Sequence, residues 1–268
     1  MTLTEAGGLF AAAALAGVIN AIAGGGTLVT FPVLLAFGIS PVVANATSTV
    51  GLFVGTGGSI WGYRRHLEAV RPWLLRFLPV SLAGSVVGSA LLVYGSERVF
   101  SRLVPFLILF ATLLFMLQGT LKRMSGGGNG SGPGELSGGA VEGRGRVAMA
   151  MAIGFQFLVA IYGGYFGAGI GILMLATFGF LGLGSIHEMN TLKTVLGSLI
   201  NVVAAVAFVV AGLVDWPRAL VMTVGALAGY WLGAHSAQRI PAAMVRKVVT
   251  GIGLVLAALT FWKEFVGK

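Results

Sequence analysis

The chain has 268 residues, of which 57% are hydrophobic and only 9% charged, with a formal net charge of +9. A soluble domain carries about 25% charged residues, so a surface facing water over the whole chain is excluded and lipid must be the solvent for much of it. Cysteine is absent, which removes disulfides, thiolate metal sites and cysteine nucleophiles.

Apolar segments run near 7–23, 27–39, 42–63, 73–94 and 99–121, and again near 147–166, 170–184, 189–212, 219–238 and 247–262. Several are long enough for a membrane helix, which needs about 20 residues. The opening MTLTEAGG has no basic start of a signal peptide. Thr2 and Glu5 instead have capping-box spacing, so the first segment is expected to stay as a helix. The basic residues fall between the segments and read as topology signals rather than as a nucleic-acid face. The stretch SGGGNGSGPGELSGGAVEGRGR, 125–146, reads as a flexible linker. It separates a first membrane unit, 1–121, from a second, 147–268, with 122–146 between them.

Sliding the chain by 145 residues aligns the two units without a gap. Gly24 and Gly26 fall on Gly169 and Gly171, Asn45 on Asn190, Thr49 on Thr194, and Pro72 on Pro217. Gly84 and Gly88 fall on Gly229 and Gly233. Five segments per unit is an odd number, so the second copy is expected upside down relative to the first. The Arg64-Arg65 loop, the 122–146 linker and the Arg239–Lys247 loop then share the cytoplasmic side, and both chain ends lie outside. The expected fold is all-α and membrane-embedded, built from two inverted repeats. It has eight to ten crossings, with 7–39 and 147–184 either crossing or forming re-entrant hairpins.

Ser40-Pro41 suits the start of a helix, and Ser185 with Glu188 repeats that start as a capping box. Ser48 and Lys193 lie eight residues in from these serines, about 12 Å along the helix. Two polar clusters, Asn45, Thr47, Ser48 and Thr49 against Asn190, Thr191, Lys193 and Thr194, therefore approach the centre of a roughly 30 Å core from opposite faces. Such groups also hydrogen-bond between helices merely to pack. Lys193 weighs toward function, because a lysine inside the bilayer is costly. Its structural alternatives are a pair with Glu188 or snorkelling to the interface.

Gly24-Gly25-Gly26 has no following strand-to-helix unit and no Walker lysine, so a phosphate loop fails. Matched interruptions at Gly24, Gly25 and Gly26 and at Gly167, Gly169 and Gly171 instead resemble the broken helices at transporter sites. Backbone N–H groups freed by such a break favour an anion. The alternative is that these glycines only let helices approach closely, the role expected for Gly84, Gly88, Gly229 and Gly233. Gln156, Tyr162 and Tyr165 are candidates to line a cavity. His187 reads as an interfacial residue more readily than as a proton carrier. No G-x-S-x-G and no HExxH pattern is present, so an enzyme is not expected.

The stretch AGGGTLVTFPVLLAFGISPVVANATST with WGYRRH resembles the sulfite exporter TauE/SafE family. So does GYFGAGIGILML with MNTLKTVLGSLINVVAAVAFVVAGLVDW in the second unit. The resemblance covers nearly the whole chain apart from the linker. It implies a prokaryotic plasma-membrane transporter of small organic or sulfur-containing anions, driven by a proton or sodium gradient and needing no cofactor. It carries Gly24, Gly25, Gly26, Asn45, Thr47 and Ser48 over as functional positions. The second copy departs from the pattern, with Thr177 aligned to Pro32 and Ile170 to Gly25. A passive anion or solute channel is the alternative function, and a membrane scaffold a third.

Overall fold

The computed structural model describes residues 1–22, 25–63, 67–126, 142–180, 186–236 and 242–266. Within them the chain is all-helical, with no strand. In chain order the helices are α1 (Leu3–Ile22), α2 (Thr27–Ala36), α3 (Pro41–Tyr63), α4 (Leu67–Tyr94) and α5 (Glu97–Gly126). Then come α6 (Glu142–Tyr165), α7 (Ile170–Phe180), α8 (Ile186–Val210), α9 (Trp216–Ser236) and α10 (Ala242–Phe261), with a π-helical turn at Trp262–Val266. A backbone in hydrocarbon must satisfy its own N–H and C=O groups, and a helix does so locally. Most helices start or end in polar sequence beyond the apolar segments, because charged Lys, Arg and Glu are good helix formers. α5 therefore ends at Gly126 and α6 begins at Glu142, and the rest of the glycine-rich stretch, 127–141, lies outside the described residues. The basic Arg64-Arg65 and Arg239 lie outside them too.

Four helices are long and apolar enough to cross a membrane by themselves, over Leu3–Ala21, Leu67–Tyr94, Glu97–Leu117 and Glu188–Val210. α2 and α7 have 10 and 11 residues, about 15–17 Å of rise, or half the hydrocarbon thickness. The outward-facing surface is itself apolar. Leu75, Leu91, Leu158, Leu220 and Val224 are all more than half exposed, a pattern that suits lipid and not water.

The capping box expected at the N-terminus forms. The Glu5 N–H donates to Thr2 Oγ1 at 3.2 Å, and the Thr2 N–H to Glu5 Oε2 at 3.3 Å. α1 and α2 then make a hairpin, since Phe37 beyond the end of α2 returns beside Gly8 near the start of α1.

The main packing partners cross between the halves. α1 packs chiefly on α9, and α6 chiefly on α4; α3 packs on α9, and α8 on α4. α2 touches α10, and α7 touches α5. Adding five to each label, counted round the ten helices, turns one member of each pair into the other. α3 with α8, and α5 with α10, map onto themselves.

Small residues make the closest crossings. Gly229 and Gly233 of α9 lie against the backbone of Ala14 and Val18 in α1, and Gly84 and Gly88 of α4 against the carbonyls of Phe157 and Ile161 in α6. This is the helix-packing role expected for these glycines.

One end of the bundle carries an ion-paired group that the sequence reading missed. Arg218 donates from Nε to Glu5 Oε1 at 2.8 Å and pairs with Asp215. Asp215 caps α9, accepting from the Arg218 N–H at 3.2 Å, and its own N–H donates to Thr47 Oγ1 at 3.0 Å. The beginning of α3 thus lies beside the junction of α8 and α9, and beside the start of α1. Arg218→Gln, which leaves the Glu5 and Asp215 carboxylates without their shared cation, is expected to lower the melting temperature in detergent. Arg102→Gln, at an exposed position, should not. Equal melting of the two variants would show that the ion group carries no stability.

Candidate functional site

Both glycine breaks hold residues in the left-handed region, which favours glycine. Gly25 has φ of 97°, in the left-handed region, and any Cβ there would overlap the Phe115 ring. Beside it, the Gly26 N–H is satisfied by Asn20 Oδ1 at 2.7 Å, and Asn20 Nδ2 donates to the Tyr230 hydroxyl at 3.0 Å. Gly24 lies outside the described residues. In the second half, α6 stops at Tyr165, and Gly167 and Gly169 take φ of 82° and 81°. The unwound segment is pinned by the Tyr162 hydroxyl, which donates to the Ala168 carbonyl at 2.7 Å.

The two breaks converge on one stretch of α5. Phe115 lies against Gly25, while Ala111 and Leu114 lie against Gly169. Phe31 of α2 also meets Phe166 of the second break edge to face, with ring centroids 5.4 Å apart. Breaks from the two halves of the chain are in this way brought around a single helix.

The first polar cluster does not point to one place. Asn45, Thr47 and Ser48 are all buried, but successive helical residues differ by about 100°. Asn45 Nδ2 donates to the Tyr165 carbonyl at the end of α6, at 3.0 Å. Ser48 Oγ is 2.6 Å from Thr30 Oγ1 of α2. Thr49 donates back to the Asn45 carbonyl at 2.9 Å. Thr47 faces the other way, toward Asp215. Of the four, Asn45 and Ser48 are the ones whose side chains reach the elements that flank the breaks.

In the second cluster Thr191 is buried and Thr194 half-buried on α8. Lys193 Nζ donates to Asn190 Oδ1 at 3.2 Å. The lysine stem lies on the first turn of α7, where a Cβ on Gly171 would sit 3.1 Å from Lys193 Cδ. Gly171 is therefore the surface over which the lysine reaches, and the ammonium is held near the N-terminal end of α7. Ser185 and the His187 side chain lie outside the described residues.

Tyr162 and Tyr165 line a groove of about 460 Å³ with Leu91, Phe100 and Ile161. Gln156 is elsewhere on α6 and donates to Ser81 Oγ at 2.9 Å. Residues the sequence reading passed over are Asn20, Thr30 and Asn201, whose Oδ1 would lie 3.7 Å from a Cβ on Gly167. Asn20 carried a signal, an asparagine six positions before the break. Thr30, inside an apolar run, carried none.

An all-helical, lipid-matched chain with paired helix breaks and buried polar side chains beside them is built as a multi-pass membrane transporter is built. The chain belongs to the sulfite exporter TauE/SafE family, whose model matches residues 9–260. It is similar to the "Probable membrane transporter protein ORF9" of Sinorhizobium sp, with 28% identity over 252 residues, 93% of this chain and 89% of the relative. It is also similar to the "Probable membrane transporter protein YfcA" of Escherichia coli strain K12, with 26% identity over 259 residues, 94% and 88% of the two chains. A "Probable membrane transporter protein" of Haemophilus influenzae is 27% identical over 256 residues, 93% and 92% of the two. No solved structure matches the chain.

Proposed function

We propose that the protein is a secondary transporter of small anions of the sulfite, sulfonate or short organic-acid class, working by alternating access between two inverted repeats. The observation that carries this reading is Lys193, whose stem lies over Gly171 at the start of α7 and whose ammonium is held there by Asn190. A cation and the positive end of a short helix beside an unwound break together favour an anion. Asn190, Thr191, Thr194 and the amides around Gly169 and Gly171 complete the proposed anion site. Gly24, Gly25 and Gly26, with Asn45 and Ser48, hold the matching positions in the first repeat, and Thr47 and Thr49 support them through their bonds to the Asp215 N–H and the Asn45 backbone carbonyl.

The reciprocal packing of α1 on α9 and α6 on α4 supports two repeats related by a two-fold axis. The bond from Asp215 to Thr47 supports the opposite directions of α3 and α8. Rocking one repeat against the other would expose the site to each side in turn, with 122–146 in the cytoplasm and both chain ends outside.

The test is a thermal-shift titration of the purified protein with sulfite, thiosulfate, small sulfonates and small carboxylates. At least one is expected to raise the melting temperature saturably, as a ligand of the folded state must. Melting temperatures that stay flat for every anion in the panel would overturn the reading. Accumulation of the responding anion against its own gradient in vesicles separates a transporter from a channel, which only equilibrates.

A further inference from the structure

Asn45 Oδ1 is buried and has no hydrogen-bond partner, although its residue is only 1% exposed. A buried acceptor left alone costs about 1–3 kcal/mol, which an occupant would offset; Gln156 Oε1 is alone as well, and what sets Asn45 apart is the company of other side-chain oxygens. The atoms around it say which sort of occupant. Asn45 and Ser48 are three apart on α3 and share a helix face. Ser48 Oγ and Thr30 Oγ1 lie 2.6 Å apart, and Thr30 Oγ1 is 3.4 Å from the Gly26 carbonyl. When Ser48 donates to Thr30 and Thr30 to that carbonyl, both hydroxyl protons are spent and the Ser48 lone pairs are left as acceptors.

Asn45 Nδ2 is likewise engaged with the Tyr165 carbonyl. That carbonyl ends α6, where the helix dipole places partial negative charge. In that arrangement the side chains of Asn45, Ser48 and Thr30 offer oxygen acceptors in excess of donors, and Asn45 lies next to the negative end of a broken helix. These oxygens offer an anion no proton, and a cation held on them would add positive charge on the first-repeat side of the anion site. Among the described residues, the hydrogen bonds of the Asn45, Ser48 and Thr30 side chains run to neutral groups and not to a carboxylate or histidine. Neutral oxygens, a serine and a threonine hydroxyl, an amide and helix-end backbone suit a small hard cation.

We propose that the oxygens of Asn45, Ser48 and Thr30, at the end of α6, bind an alkali cation of the sodium class. On the transporter reading above, on which only this coupling role rests, the cation travels with the anion held near Lys193. The second break then presents opposite poles to the two ions: the end of α6 to the cation, and the start of α7 to the anion.

The test uses the full chain in detergent, without any sulfite, sulfonate or carboxylate anion, at constant ionic strength, with sodium chloride replacing choline chloride. A saturable rise in melting temperature with sodium is expected. Ser48→Ala and Asn45→Ala should lose it or need at least ten-fold more sodium, while Lys193→Met keeps it. Asn45→Asp, which adds a negative oxygen, should respond at lower sodium than the wild type, a change that a merely structural asparagine would not produce. If Asn45→Ala does not fold, Ser48→Ala and Thr30→Val decide the matter. Identical melting in sodium and choline overturns the cation site, as do wild-type sodium titrations in the substituted proteins. Because no substrate anion is present, a failed anion screen leaves this result standing, and failure here leaves the anion site standing.

Discussion

Lys193→Met is expected to abolish concentrative anion transport while the protein still inserts and folds. Methionine keeps the length of the stem that lies on Gly171 and removes a charge that is costly at membrane depth, so stability should hold or rise. The anion loses its counter-charge in a site shielded from water. Removing one partner of such a pair costs about 2–5 kcal/mol, or at least about 30-fold in affinity at 1.4 kcal/mol per decade. Reconstituted vesicles with matched amounts of inserted wild-type and variant protein measure this directly. Wild-type rates in the methionine variant would remove Lys193 from the mechanism. Lys193→Arg keeps the charge on a bulkier head, and partial activity there would separate the charge from its exact placement.

The second large effect concerns assembly. Gly88→Ala and Gly229→Ala should each destabilise the fold, because the new methyl would overlap a backbone carbonyl of the facing helix, Ile161 in one case and Ala14 in the other. A backbone carbonyl cannot rotate away as a side chain does, so α4 must move off α6, or α9 off α1. Overpacking of this kind costs about 1–3 kcal/mol. Gly154→Ala and Gly251→Ala face open space and should be neutral or slightly stabilising, since alanine is the better helix former. Melting temperatures of the four variants in one detergent test this. Equal behaviour of both pairs would mean that the close crossings do not limit stability.

Much of the fold was legible because lipid simplifies the code. Low charge and long apolar runs call for helices, and each of the ten segments read from hydropathy overlaps one of the ten α-helices found among the described residues. The glycine positions were legible for a related reason. A glycine in an apolar run either permits contact or permits a turn, and both uses occur, at Gly229 and at Gly25. The direction of each polar side chain was not. Thr47 and Ser48 are adjacent in sequence and carry the same kind of group, yet one bonds Asp215 and the other Thr30. Their directions follow from helix phase and from neighbours more than a hundred residues away or in another helix. The Glu5–Arg218 contact was hidden for the same reason, since 213 residues separate its partners.

By itself the sequence determined the solvent, the helices, the two places where they break and the chemical character of Lys193, because each depends on residues within one turn or one segment. Tertiary structure alone decided that both breaks gather around Ala111–Phe115 of α5, that Asn45 of the first half reaches the end of α6 in the second, and that its side-chain Oδ1 is left without a hydrogen-bond partner. Those facts are set by how helices of the two halves pack across one another, and packing between distant segments leaves no local mark in the chain.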